Sequence, residues 1–201
     1  MVAIITGDIV HSKKANPSVW MEELKNILSK FGENSKDWAI YRGDEFQLEI
    51  TNYKEALHSC FLIKSYLKSK NIRVRLAIGI GAKSFESTKI SERNGSAYYF
   101  SGTVLEKIKK EKITLAVRSE NKKNDETFNL MLQLTNSLMD NWLTSSAKMV
   151  YLQFLNQEKS QEQLGTILNI SQAAISKRTK RSHFELVKKV DLYYRENFIP
   201  N

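Results

Sequence analysis

The stretch WAIYRGDEFQLEI, residues 38–50, predicts two antiparallel strands joined by a tight turn. Apolar and aromatic residues occur in both halves of this stretch, and Gly43-Asp44 separates the halves. In the second half, apolar residues alternate with Gln47 and Glu49, and a period of two is typical of a half-buried strand. The sequence therefore predicts a β-hairpin with strands over residues 38–42 and 45–50.

Outside the hairpin, strand-like and helix-like patterns alternate. Residues 72–80 have a strict period of two, with Arg73 and Arg75 on the less apolar face. Spacings of three and four residues predict amphipathic helices elsewhere. The predicted order is β-α-β-β-α-β, which indicates an α+β domain of the ferredoxin-like, split-βαβ type. The remaining predicted elements are a strand over 2–6, helices over 20–31, 53–68 and 96–110, and a last strand over 113–117.

The polar stretch SENKKNDE, residues 119–126, is interpreted as a linker, and everything beyond it has helical periodicity. We therefore expect two domains, residues 1–120 and residues 121–201. A helix over 125–142 has one broad apolar face, which we interpret as core. A contact between two copies of the chain is the alternative, which leaves a homodimer open.

Residues 161–181, QEQLGTILNISQAAISKRTKR, indicate two short helices joined by a turn. Gly165 allows a close approach, Asn169 suits the left-handed turn position, and Ser171 suits the N-cap of the second helix. Apolar segments before and after complete a small helical domain. This segment resembles the helix-turn-helix of bacterial regulators.

The resemblance implies that the second helix binds double-stranded DNA. Side chains near its N-terminus would reach base edges in the major groove, and later basic side chains would reach phosphates. A helical hairpin with a solvated basic face is the alternative. The base-contacting candidates are Gln172, Ala173, Ser176 and Lys177, and the phosphate-contacting candidates are Arg178, Lys180 and Arg181.

Composition limits the functional classes. The 201 residues carry a formal net charge of +9, which favours a polyanionic partner. The single cysteine, Cys60, excludes an internal disulfide and is interpreted as core. The three histidines have no ligand spacing, so no zinc site is predicted. No apolar run is long enough for a membrane span and no signal peptide is evident, so we expect a cytoplasmic protein without a membrane partner.

Two carboxylates are the candidates for chemistry. Asp8 follows the first predicted strand and Asp44 lies at the hairpin tip, so the two converge if the hairpin pairs with that strand. Paired carboxylates bind Mg²⁺ or Mn²⁺ together with nucleotide phosphates. The backbone amides of 10–12, followed by Lys13 and Lys14, would hold a triphosphate. The alternatives are a loop cap for Asp8 and an ordinary turn for Asp44. The run of lysines over 107–112 is interpreted as a solvated helix end, with nucleic-acid contact as the alternative.

Motifs around these carboxylates resemble the palm domain of nucleotidyl cyclases: GDIVHSK at 7–13, RGDEF at 42–46 and VRLAIGIG at 74–81. With GSAYY at 95–99, the combination resembles the SatD family over most of residues 2–110, here followed by the helix-turn-helix. The resemblance implies that Asp8 and Asp44 are the catalytic residues. It also implies that they bind the metal together with the backbone carbonyl of Ile9. It also implies nucleotide contacts from Ser12, Lys13, Lys14, Arg42 and Gly43. Arg42 replaces the first glycine of the diguanylate cyclase signature, so that activity is not implied.

Two functions follow as hypotheses. The first is a DNA-binding transcriptional regulator whose palm domain binds a metal and a nucleoside triphosphate. The alternative is a nucleotidyltransferase or cyclase that uses the two aspartates and employs the helices for localisation or dimerisation. A palm that binds no ligand is a third reading, and the sequence leaves open whether the protein is an enzyme.

Overall fold

A computed structural model describes residues 1–12, 16–41 and 43–200 of the chain. Its centre is a five-stranded mixed sheet with the strand order β2-β3-β1-β4-β5. All neighbouring strands are antiparallel except β4 and β5, which are parallel. The strands are β1 (Val2–Ile9), β2 (Trp38–Tyr41), β3 (Glu45–Ile50), β4 (Val74–Gly81) and β5 (Leu115–Arg118).

Eight α-helices occur in the described residues, and three of them lie within the sheet-forming part of the chain. None of the eight is long and apolar enough to cross a membrane. The helices are α1 (Pro17–Leu28), α2 (Ala56–Ser69), α3 (Ser96–Glu111), α4 (Lys122–Asp140), α5 (Thr144–Leu155), α6 (Gln161–Leu168), α7 (Gln172–Ser182) and α8 (Phe184–Asn197).

The two faces of the sheet are covered differently. One face presents large apolar residues, such as Phe46 and Leu76, to the core that α1 and α2 complete. On the other face α3 lies directly against β4. A Cβ at Gly79 would come within 2.2 Å of the Ala97 carbonyl oxygen, so only glycine permits this contact. Because α3 covers β4 more than β1 and β3, polar residues at one end of this face remain accessible.

The α+β class and the order of the elements are confirmed, with shifts of one to three residues at several boundaries; the first helix, for example, begins at Pro17 and not at residue 20. The first strand extends to Ile9, the strand predicted from residue 72 begins at Val74, and the last strand covers 115–118. These shifts keep the predicted alternation. Ile5 and Ile78 face one side of the sheet, and Arg75 faces the other, as expected from a period of two.

The predicted linker over 119–126 is wrong, because α4 begins at Lys122. Its polar residues cap the helix instead of remaining in solvent. The side chain of Asn121 accepts a hydrogen bond from the Asn124 N–H at 3.1 Å. Asp125 is buried and accepts from the Ser119 N–H and hydroxyl at 2.8 and 2.7 Å. The same residue types serve solvated loops and helix N-termini, and composition alone does not distinguish them.

Of the last four helices, α5 and α8 pack on α2, while α6 and α7 pack on α5, and the apolar core is continuous across residue 120. The rings of Phe61 in α2 and Phe154 in α5 lie 5.8 Å apart. His58 Nδ1 in α2 lies 2.8 Å from Asp191 Oδ2 in α8. In α4, Phe128, Leu132 and Met139 are buried, so its interpretation as a core helix is confirmed. The division into two domains stays a prediction.

Candidate functional site

The end of β1 and the tip of the β2–β3 hairpin lie side by side. Asp8 is directly opposite Glu45 in the β1–β3 pairing, and the Ile9 N–H donates to the Asp44 carbonyl oxygen at 3.2 Å. The predicted proximity of the first strand and the hairpin is therefore observed. It follows from hairpin geometry, since the tip must project past the strand that pairs with β3. We call Asp8, Asp44 and Glu45 the carboxylate cluster.

The two carboxylate oxygens of Asp8 differ in their hydrogen bonding to the described residues. Arg75, opposite Asp8 on β4, donates to Oδ2 at 3.1 Å. Oδ1 is buried and has no hydrogen-bond partner among the described residues. Burial raises the pKa of Asp8; Arg75 and Lys109 oppose this effect, and the nearby negative charge of Asp44 adds to it. A buried carboxylate oxygen that lacks a donor is a candidate ligand for a cation.

Asp44 is held by a side chain from the segment after β1. The Ser12 hydroxyl, itself buried, donates to Asp44 Oδ2. Gly43 has a φ of 87°, and no atom of the other described residues, its chain neighbours aside, lies within 4 Å of where a Cβ would be. The tip therefore presents Asp44 at an accessible position next to Asp8. Lys13, Lys14 and Arg42 lie outside the described residues.

Lys109 is a member of this site that the sequence analysis missed. Its Nζ lies 2.6 Å from Glu45 Oε1 and 3.2 Å from Glu106 Oε1. Burial is the largest single effect and lowers the pKa of Lys109, but the hydrogen bonds that Lys109 donates to these carboxylates outweigh it and raise the pKa above its ordinary value. The interpretation of the lysine run as a solvated helix end is therefore wrong for this position. The helical spacing could have indicated the position of Lys109, because it follows the apolar Leu105 by four residues and therefore shares the face of α3 that packs on the sheet.

A divalent cation fits this cluster only as a partly protein-bound ion. No group of three or more His, Cys, Asp or Glu side chains suited to a metal was found in the described residues. Mg²⁺ is often held by one or two carboxylates, with water and phosphate oxygens completing its coordination. Asp8 Oδ1 and Asp44 meet that description. The Ile9 side chain is buried in the core, so only its backbone would contribute.

The second predicted site lies on α6, α7 and the turn between them. Asn169 has a φ of 52°, and the Ser171 side chain accepts from the Ala174 N–H at 3.2 Å, so both local predictions are confirmed. A Cβ at Gly165 would lie 2.7 Å from the Ile170 carbonyl oxygen. The close approach that requires glycine is thus to the turn itself. Ser160 and Gln163 form a capping box at the start of α6.

One face of α7 is buried and the other is available to a partner. Ile175, Thr179 and Ser182 face the helical core. The predicted DNA-contacting residues are exposed, except for the half-buried Arg178. None of the four basic residues of α7 forms an ion pair with a residue that the structure describes. The exposed set, here called the α7 strip, is Gln172, Ala173, Ser176, Lys177, Lys180 and Arg181.

Comparison with known proteins bears on both sites together. The model of the SatD family matches residues 1–197. The chain belongs to the SatD family. The match continues beyond the motifs of residues 2–110 and through the C-terminal helices, so α4 to α8 lie within the SatD-family match instead of being joined to it. No curated protein and no solved structure matches the chain.

Proposed function

We propose that this SatD-family protein is a DNA-binding regulator that contacts double-stranded DNA through the α7 strip. The observation that carries the proposal is the exposure of Lys177, Lys180 and Arg181 on one helix face without any ion pair to a described residue. Cations that have no internal partner are available to phosphates, and they release counterions when they bind.

The position of the strip also suits base readout. Gln172, Ala173 and Ser176 lie in the first turns of α7, and α6 with its short turn holds that end of the helix clear of the core. In helix-turn-helix proteins this end of the recognition helix enters the major groove. Gln172 would pair with a base edge, while the later cations would fix the register on the phosphates.

The test is fluorescence anisotropy of the full chain with a labelled duplex pool at several salt concentrations. We expect Lys177→Ala with Arg181→Ala to weaken binding and to reduce the salt slope by about one unit per lost phosphate contact. The control is Lys122→Ala with Lys123→Ala, which removes two exposed charges at the start of α4. Equal binding by the strip variant and the unmodified chain would refute the proposal.

A second candidate function is nucleotidyl transfer in a cyclase-like palm, with Mg²⁺ or Mn²⁺ at Asp8 and Asp44. The specific observation in its favour is that the buried Oδ1 of Asp8, near Asp44, has no hydrogen-bond partner within the part of the chain that the structure describes. A bound divalent ion would stabilise charge on phosphate oxygens. Asp8 and Asp44 would then supply ligands, while Arg75 orients Asp8 and Ser12 orients Asp44.

Incubation with Mn²⁺ and each nucleoside triphosphate, followed by mass spectrometry, tests this candidate. A new product from the unmodified chain that is absent with Asp44→Asn, at unchanged circular dichroism, supports it. A product that Asp44→Asn also makes rejects the assigned residues. The cytoplasm as compartment and a second copy of the chain as partner remain predictions.

A further inference from the structure

A cleft of about 360 Å³ lies beside the carboxylate cluster, at the end of the sheet where β1 finishes and β4 begins. Its walls come from the segment after β1, the start of β4, the C-terminal parts of α2 and α4, and the connection from α3 to β5. The charged or titratable residues on its walls are basic with one exception. The basic set is His11, Lys64, Lys68, Arg73, Arg75 and Lys112.

The cleft carries a surplus of positive charge that the described residues do not balance. Asp140 is its one carboxylate, and it lies 2.8 Å from the buried Lys64 Nζ. Arg75 pairs with Asp8 outside the cleft. This leaves Lys68, Arg73 and Lys112 without an ion pair to any described residue, although Lys68 Nζ donates to the Asp140 carbonyl oxygen at 2.7 Å.

Three uncompensated cations around one concave space repel one another unless an anion binds between them. A ligand with several linked negative charges satisfies them together, and the planar guanidinium of Arg73 suits the paired oxygens of a phosphate. The apolar lining residues Ile72, Val74 and Met139 are buried and belong to the core. The cleft thus offers its cationic side chains to a phosphate chain.

We propose that this cleft binds a chain of linked phosphates, either free or as the tail of a nucleoside triphosphate. The sequence analysis assigned the phosphates to Ser12, Lys13 and Lys14, whereas this site uses α2, β4 and the connection before β5. The inference deepens the nucleotidyl-transfer candidate by assigning its phosphate-binding side, and it requires no metal at the carboxylates.

Isothermal titration calorimetry of the full chain, in EDTA, with inorganic tripolyphosphate, ATP and GTP tests the assignment. The variants are Arg73→Gln and Lys112→Asn; Lys112 has a φ of 58°, a conformation that asparagine adopts readily. The matched control is Lys110→Ala, an exposed lysine of α3 that does not line the cleft. EDTA keeps the result independent of metal binding at Asp8 and Asp44.

We expect one tripolyphosphate per chain, and a loss of about tenfold in affinity for each cleft variant but not for Lys110→Ala. Tighter binding of ATP or GTP would add recognition of the base, and equal binding would assign the site to the phosphate chain alone. Absence of binding overturns the inference. The inference is also overturned if the double variant Lys177→Ala with Arg181→Ala loses binding while the cleft variants keep it, because the anion would then bind on α7.

Discussion

At the residue scale, Glu49 shows how a buried charge is stabilised in this fold. Its carboxylate accepts hydrogen bonds from Lys83 at 2.8 Å, Arg93 at 2.9 Å and the Tyr98 hydroxyl at 2.5 Å. Burial alone would raise the pKa of Glu49, but these donors outweigh burial and hold the pKa below its ordinary value. The ion cluster joins β3 to the start of α3 and to the loop before it.

Glu49→Gln should destabilise the protein by about 2–3 kcal/mol at neutral pH, because it removes the less exposed of the two carboxylates that Lys83 and Arg93 share. The folded-state pKa lies below the ordinary value of 4.5. The stabilisation is therefore complete above that pH and is lost as the pH falls through the folded-state pKa. Urea unfolding measured from about pH 7 down to pH 3 should show the two proteins converging.

The matched control for that change is Glu86→Gln. Glu86 contacts the same Lys83 and Arg93, but its side chain is 62% exposed. Its loss should cost less than about 1 kcal/mol. A Glu49→Gln penalty that stays constant on acidification, or a Glu86→Gln penalty of the same size, would contradict the assigned role of burial.

Cys60 gives a second prediction at this scale. The side chain is fully buried on α2, and burial raises the pKa of its thiol. Since the thiolate is the reactive form, the native protein should not react with a thiol reagent, and the reaction should appear only with unfolding. Stoichiometric labelling of the native chain would count against the core interpretation.

At the element scale, α6 depends on a glycine for its contact with the following turn. Gly165→Ala should destabilise the protein by about 1–2 kcal/mol, since the new Cβ meets the Ile170 carbonyl oxygen at 2.7 Å. Gly102→Ala is the control within α3, where no described residue outside the adjacent helix backbone comes within 4 Å of the added carbon. That change should instead stabilise by about 0.5–1 kcal/mol through helix propensity. Urea midpoints that shift in the same direction for both variants would contradict the steric argument.

The N-terminus of α4 shows why an element boundary escaped the sequence analysis. The stretch 119–126 holds no apolar residue, so hydrophobic periodicity has nothing to detect there. The helix begins nevertheless, because Asn121 satisfies a free backbone N–H and Asp125 anchors Ser119. By contrast, the turn position of Asn169 and the N-cap position of Ser171 could be predicted, because apolar residues with helical spacing occur on both sides of this turn.

At the scale of the whole molecule, α2 contacts α5 and α8, so helices from both sides of position 120 share one apolar core. Lys64 pairs with Asp140, and Phe61 packs against Phe154. Breaking the helical part away would expose a fully buried face of α2. We therefore expect a single unfolding transition.

The Trp142→Phe variant tests the prediction of a single transition, because the fluorescence of its remaining tryptophans, Trp20 and Trp38, reports only on the part before residue 120. The circular dichroism signal comes mainly from helices, and α4 to α8 lie after residue 120. In this variant, tryptophan fluorescence and circular dichroism should give the same urea midpoint. A separate, earlier transition in circular dichroism would instead show two independent domains.

The sequence by itself determined the order of the elements and some of their ends, such as the turn between α6 and α7. The alternation in 45–50 and 74–80, the helical spacings, and the caps at Asn169 and Ser171 each depend on residues a few positions apart. Such short-range interactions are encoded directly in the order of side chains. The proximity of Asp8 and Asp44 was conditional in the sequence, because it requires the long-range pairing of β3 with β1.

The tertiary structure decided which distant charges meet. Lys109 contacts Glu45 across 64 positions of the chain, and Arg75 contacts Asp8 across 67. Lys64 is buried against Asp140 of a helix that the sequence analysis assigned to another domain. In the sequence these three side chains cannot be told from ordinary surface charges, because the residues around them do not indicate which distant residue they will contact. The packing of α3 and α4 against the sheet sets the environment of these side chains. It therefore also sets the shape of the cleft beside the carboxylate cluster and the pKa of Asp8.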